Sequence, residues 1–210
     1  MSRETVILAH GLWMTGSEMA LLKRRLRAAG FHVVQFRYRM VTRPLAHNRD
    51  KFAEFIQKHA SGKTHVIGHS LGGVLALHTL QDYPDLPVER VVCLGSPLRD
   101  SKAGRRFIRL PTGKAGLGKT LPEAIFEKAL GEWTGRQEVG VIAGTRAYGL
   151  GRIIEAIPKP NDGMVAVSET CLPGIPDHLE AHVGHTGLVL SDSVAQQCAE
   201  FLWHGRFRRG

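Results

Sequence analysis

The stretch that most constrains this chain lies between residues 64 and 80. An apolar, β-branched pair, Val66-Ile67, leads into Gly68-His69-Ser70-Leu71-Gly72-Gly73, and a helix-forming run, Val74-Leu75-Ala76-Leu77-His78-Thr79-Leu80, follows at once. This pattern predicts a strand, a sharp turn with Ser70 at its apex, and a helix. So tight a turn forces its apical residue into a strained backbone conformation, which is tolerated only between small neighbours. Gly68 and Gly72, two before and two after, leave room for the chain to cross itself. The turn lifts the Ser70 hydroxyl above the sheet. It also places the N–H of Leu71 at the positive end of the following helix.

The rest of the chain alternates strand and helix around this corner. Thr5-Val6-Ile7-Leu8-Ala9 is apolar on both faces, which suits a central strand covered by helices on each side. A helix is predicted over 17–29, with Ser17 as N-cap, Met19, Leu22 and Leu26 as its apolar positions, and Gly30 as its stop. A strand over 32–38 follows, then a helix opened by Pro44 and running to 60, with Leu45, Phe52, Phe55 and Ile56 as its stripe. Further strands are expected from Arg90, over 139–144, and within 178–183, and a closing helix over 191–204. The alternation predicts an α/β architecture, a doubly wound and mostly parallel sheet of about six strands in one domain spanning 1–210. A length of 210 residues is enough to bury a sizeable core.

Gly68-His69-Ser70-Leu71-Gly72-Gly73, with Ala9-His10-Gly11 upstream, resembles the α/β-hydrolase superfamily, and within it the lipase and esterase branch. The resemblance runs from about residue 5 to about residue 202 and is weak between 99 and 135. It implies a minimal form of that fold, beginning at the family's third strand. It also implies that 99–135 is a lid-like insertion over the site, a role drawn from segments of low local stability.

The resemblance further implies a catalytic set. Ser70 would be the nucleophile, and in this fold the acid and then the histidine follow it in chain order. His185, between Gly184 and Gly187, fits the base, with His182 and His178 as competitors. Asp162, in Asn161-Asp162-Gly163, fits the acid, since Asn, Asp and Gly together signal a turn. Asp100 and Asp177 are the alternatives. The oxyanion donors would be the backbone N–H groups of Leu71 and Leu12, with that of Trp13 as the near alternative to Leu12. His10, Gly11, Trp13, Met14 and His69 would border the substrate pocket. The implied activity is hydrolysis of carboxylic esters, small or lipid-like, through an acyl-enzyme, without metal or cofactor. Acyl transfer and thioester cleavage use the same triad, and a basic membrane-surface binding protein on the same scaffold is a further alternative.

Composition narrows the partners. The formal charge is +9. The basic residues cluster at 23–27, at 206–209, and between 99 and 119, where seven stand against one acidic residue. This charge reads as solvated faces or, more sharply, as attraction to an anionic partner such as a lipid headgroup layer or an acidic substrate; nucleic acid ranks last, since no nucleic-acid-binding motif accompanies it. The longest apolar runs are far too short to span a bilayer. The first residues pass straight into a core strand without a secretory pattern. Cys93, Cys171 and Cys198 have no metal-ligand spacing and read as reduced packing residues of a cytoplasmic protein. Oligomeric state has no signal in the sequence.

One match misleads. Residues 113–120, Gly-Lys-Ala-Gly-Leu-Gly-Lys-Thr, fit the phosphate-binding loop pattern letter for letter. A loop of that kind starts its helix at Gly-Lys-Thr, whereas Pro122 suits the first turn of a helix starting later, and Thr120-Leu121-Pro122-Glu123 reads as a capping box. Phe107-Ile108-Arg109-Leu110 is also a poor core strand to precede it.

Overall fold

A computed structural model describes residues 3–12, 16–39, 42–99, 120, 123, 129–147 and 157–209. Six strands form one sheet: β1 (Thr5–Ala9), β2 (His32–Phe36), β3 (Thr64–His69), β4 (Arg90–Leu94), β5 (Glu138–Gly144) and β6 (Asp177–Ala181). Their order is β2-β1-β3-β4-β5-β6, and every neighbouring pair is parallel. Sequence pattern accounts for the order. The two strands with an apolar, β-branched centre and burial at every residue, β1 and β3, lie side by side in the interior. The polar sequence Asp-His-Leu-Glu-Ala of β6 has no fully buried residue and forms an edge.

The helices are α1 (Ala20–Ala28), α2 (Leu45–His59), α3 (Leu71–Asp82), the short α4 (Val167–Thr170) and α5 (Gly187–Leu190), and α6 (Asp192–His204). They cover both faces of the sheet. Because successive strand residues point to opposite faces, β1 is shared between two cores. Ile7 and Ala9, with Val66, Val91 and Val141, pack against Phe52 and Ile56 of α2 and the apolar side chains of α3. Val6 and Leu8, with Ile67, Val92 and Ile142, pack against Leu22 and Leu26 of α1 and Val194, Phe201 and Leu202 of α6. Residues Leu71 to Leu80 of α3 are all buried, which is why its sequence is apolar around the whole circumference.

Two expectations change in detail. Ser17 does not cap: it begins a 3-10 turn (Ser17–Met19) whose cap residue is Gly16, in the left-handed region. The Glu18 carboxylate accepts from the Gly16 N–H at 3.1 Å, because the turn tightens the chain one residue earlier than the periodicity suggests. β2 stops at Phe36, and Tyr38 turns aside to donate its hydroxyl hydrogen to the His10 carbonyl at 2.9 Å. Residues 99–135 lie mostly outside the described residues, so their role as a lid stays a proposal. Leu130 and Trp133 are nonetheless buried in the α2–α3 core.

Residues 113–119 of the phosphate-loop match lie outside the described residues, whereas Thr120 and Glu123 are described, and both bond to the approach and first turns of α2. The Thr120 hydroxyl donates to the Arg43 carbonyl at 2.7 Å and accepts from Asn48 Nδ2 at 2.8 Å. The Glu123 carboxylate accepts from the Leu45 N–H at 2.8 Å, so it caps the start of α2. Cys93 and Cys198 are buried thiols and Cys171 is exposed. Among the described residues no helix is long and apolar enough to cross a membrane, and no group of His, Cys, Asp and Glu could hold a metal ion.

Candidate active site

Ser70 sits between β3 and α3 with φ 53°, and is the one non-glycine residue with positive φ among those described. That conformation is costly for an L-residue and persists where the surroundings impose it. They do so here. The Ser70 N–H donates to the Leu94 carbonyl at 2.8 Å, and the Ser70 carbonyl accepts from the Gly73 N–H at 3.1 Å. A Cβ on Gly68 would lie 2.3 Å from the Gly73 nitrogen, and one on Gly72 would lie 2.2 Å from the Ala9 carbonyl oxygen. The crossing is therefore built on both glycines. Leu71 is the first residue of α3, so its N–H is one of the helix-start donors without an intrahelical acceptor.

Asp162 and His185 meet over the end of β4. His185 Nδ1 donates to Asp162 Oδ2 at 2.7 Å. The Asp162 side chain is almost wholly buried, at 1% exposed, and that of His185 is 14% exposed. The other carboxylate oxygen, Oδ1, accepts from the N–H groups of Met164 at 2.9 Å and Val165 at 2.8 Å. The Asn-Asp-Gly turn expected from sequence thus has a purpose, since it folds the chain back so that two backbone donors hold the carboxylate. The His185 N–H in turn donates to the Asp162 carbonyl at 2.9 Å, tying the two loops together. With Nδ1 donating, the neutral ring keeps its lone pair on Nε2.

Gly95 makes this meeting possible. It has φ 55°, and a Cβ there would lie 2.6 Å from Leu188 Cδ1, 3.0 Å from Asp162 Oδ2 and 3.3 Å from His185 Nδ1. The sequence shows it only as the glycine ending an apolar strand, with nothing to mark the pair that crosses it.

His69, expected at the pocket, is wholly buried beneath the His185 loop. Its Nε2–H donates to the His185 carbonyl at 3.1 Å, and the two rings are 4.7 Å apart. Its Nδ1 has no hydrogen-bond partner. Burial, and then the proximity of His185, lower its pKa to about 3, so the ring is neutral. His10 is also buried, and its Nδ1–H donates to the Gly11 carbonyl at 3.0 Å. Desolvation lowers its pKa against the opposing pull of that bond. Gly11 is buried beside it, and Leu12 packs partly buried against the α2–α3 core. Trp13 and Met14, and Asp100 among the alternative acids, lie outside the described residues.

The competing candidates are placed elsewhere. His182 lies just past the end of β6 rather than on it. It is exposed, with Nδ1 3.4 Å from the Thr145 hydroxyl. His178 Nε2 faces Thr170 Oγ1 at 2.8 Å. Asp177 begins β6 and accepts from the Phe207 N–H and from Arg209, each at 2.8 Å. A cavity of about 440 Å³ opens beside Asp162 and His185, walled also by Met164, His182 and Arg146. Ser70 is not in that lining.

The profile of the alpha/beta hydrolase family matches residues 6–196. No curated protein matches the sequence. Among solved structures, the lipase BlEst2 of Bacillus licheniformis in its mature form superposes with a TM-score of 0.75 at 15% identity, covering 95% of this chain and 91% of that one. A metagenomic carboxyl esterase, MGS0156, gives 0.70 at 18% identity, covering 95% and 74%. The pyrethroid hydrolase PytH gives 0.63 at 15% identity, covering 97% and 99%. The strained serine corner, the parallel sheet and a profile match over nearly the whole length place this chain in the alpha/beta hydrolase family.

Proposed function

We propose that the protein is a serine hydrolase of carboxylic esters, acting through Ser70, His185 and Asp162. The observation that carries this reading is the Asp162–His185 bond of 2.7 Å, set across Gly95 next to the strained Ser70 corner. The reading adds one contact to those described, that of His185 Nε2 on the Ser70 hydroxyl.

Serine is a weak nucleophile unless a base takes its proton. His185 has the tautomer for this, with Nδ1–H committed to Asp162 and Nε2 free to accept. Ser70 Oγ attacks the ester carbonyl carbon as its proton passes to His185 Nε2. The carbonyl electrons move onto oxygen, and the tetrahedral oxyanion is held by the N–H groups of Leu71 and Leu12. The carbon–alkoxide bond then breaks, and His185 returns the proton to the leaving alcohol. Water repeats the sequence on the acyl-enzyme: His185 takes its proton, hydroxide adds, and Ser70 leaves with the proton restored. Asp162 stays an acceptor throughout and stabilises the transient imidazolium. The neutral His69 ring below adds no like charge against it.

Esterase-like and lipase-like folds among the structural neighbours support the ester class. The test combines fluorophosphonate labelling with p-nitrophenyl ester hydrolysis, comparing the natural chain with Ser70→Ala. Labelling at Ser70 and loss of turnover in the variant are expected. Unchanged turnover in Ser70→Ala would refute the assignment. A panel of acyl chain lengths then separates short-chain esterase from lipase behaviour.

A further inference from the structure

A second cleft, of about 450 Å³, lies where the chain leaves β2 and enters α2. Arg37 and Arg39 come from the β2 exit, Arg43 from the approach to α2, and Lys51 and Lys58 from the helix. His47, Lys51, Glu54 and Lys58 are spaced four, three and four apart, so they share the exposed face of α2 opposite its buried Asn48, Phe52 and Ile56. Phe36, Tyr38 and Phe55 give the cleft an aromatic wall, with Phe36 stacked on Tyr38 at 5.3 Å and the Phe55 ring tilted against it at 5.2 Å.

The charges do not cancel. Glu54 is the acidic residue of the lining, and it pairs with Lys51 at 2.7 Å. The nearby Glu123 carboxylate accepts the Leu45 N–H. Arg37, Arg39, Arg43 and Lys58 have no carboxylate partner among the described residues. Four cations gathered over an aromatic wall repel one another, and a bound anion relieves that repulsion. The positive field reaches Lys23, whose pKa is lowered by desolvation and by Arg27 and Arg37.

The cleft also adjoins the serine corner. The Tyr38 hydroxyl in its wall donates to the His10 carbonyl at 2.9 Å, and the two rings are 4.7 Å apart. That same carbonyl oxygen lies 2.7 Å from the position of a Cβ on Gly72. One residue, His10, therefore separates the basic cleft from the first turn of α3.

We infer that this cleft binds a phosphate group carried on the non-reacting end of the ester substrate. A phosphate offers two negative charges and several acceptor oxygens to three arginine forks, a match that a single neutral hydroxyl cannot make. The inference rests on the ester-hydrolase reading and narrows its substrates to phosphorylated carboxylic esters, whether free in solution or as lipid headgroups at a membrane.

The test uses the full chain and the double variant Arg39→Ala/Arg43→Ala, both sites being exposed and outside the catalytic set. Calorimetric titration with glycerol phosphate reads binding without any need for turnover. Hydrolysis of monobutyrylglycerol and of its phosphate reads selectivity, and sedimentation with phosphatidate or pure phosphatidylcholine vesicles reads the membrane source. The double variant should weaken glycerol phosphate binding, and kcat/KM for the phosphorylated ester, by roughly tenfold or more, as expected for losing charge-assisted hydrogen bonds. It should leave the neutral ester unchanged. Arginine-dependent binding to phosphatidate vesicles without binding of glycerol phosphate assigns the phosphate to a lipid headgroup. Binding of neither, or equal binding by the variant, overturns the inference, and hydrolysis of the neutral ester would then keep the hydrolase reading standing. Glycerol phosphate binding without hydrolysis of either ester would instead sink the hydrolase reading and leave the cleft.

Discussion

His69 should make the protein acid-labile by an amount the structure sets. The ring is wholly buried, its Nδ1 is unpartnered, and its folded pKa is about 3 against an ordinary value of 6.5. Above the ordinary value neither state binds a proton there, so the group adds no pH dependence. As pH falls below it, the unfolded chain takes up a proton that the folded chain refuses, and stability drops until the folded pKa is reached. Between about pH 7 and about pH 4.5 the loss is roughly 2.5 kcal/mol. The figure is insensitive to the folded pKa, because any value below about 4 leaves the folded ring neutral throughout that window. His69→Gln removes the titration. Guanidinium unfolding of both proteins at the two pH values isolates it, since the lowered His10, His65 and His178 contribute equally to each. The stability advantage of the natural chain should shrink by roughly 2.5 kcal/mol on acidification. An advantage that stays constant would show that the buried ring takes up a proton as readily as a free one, and would refute the reasoning.

Other expectations follow from single contacts. Asp162→Asn keeps an oxygen for the Met164 and Val165 donors but presents N–H to His185 Nδ1, forcing the wrong tautomer. Ester kcat should fall by about 10⁴ while the denaturation midpoint hardly moves, and retained turnover would remove Asp162 from the catalytic set. Gly72→Ala drives a Cβ to within 2.2 Å of the Ala9 carbonyl oxygen and 2.7 Å of that of His10, consecutive backbone groups at the end of β1. It should cost about 3 kcal/mol or more in denaturant unfolding. Thr120→Val strips two hydrogen bonds from Arg43 and Asn48. The variant should lose about 1–3 kcal/mol of stability, with no ATP-dependent shift in Tm for either protein.

Much of the fold was legible because it rests on short-range sterics and periodicity. The serine corner needs only a strand, two glycines and a helix, all within residues 64–82. The apolar runs of β1 and β3 announce interior strands, and the stripe of Leu45, Phe52 and Ile56 announces the buried face of α2. Asn161-Asp162-Gly163 announces its own turn. The acid's partner was harder, since Asp162 and His185 are far apart in sequence and three histidines cluster near the carboxyl end. Fold order narrowed that choice, and only packing placed His182 and His178 against Thr145 and Thr170 instead.

Sequence alone therefore determined the alternation of elements, the strained Ser70 and the local loops that present Asp162 and His185, because each depends on neighbours along the chain. Tertiary structure decided what lies between those segments. It placed Gly95 under the Asp–His pair, His69 beneath the His185 loop, Glu123 at the start of α2 and an uncancelled basic cleft beside Tyr38. Those contacts join residues as much as 116 positions apart. Their chemistry exists only once the sheet has brought distant side chains within a hydrogen bond's reach.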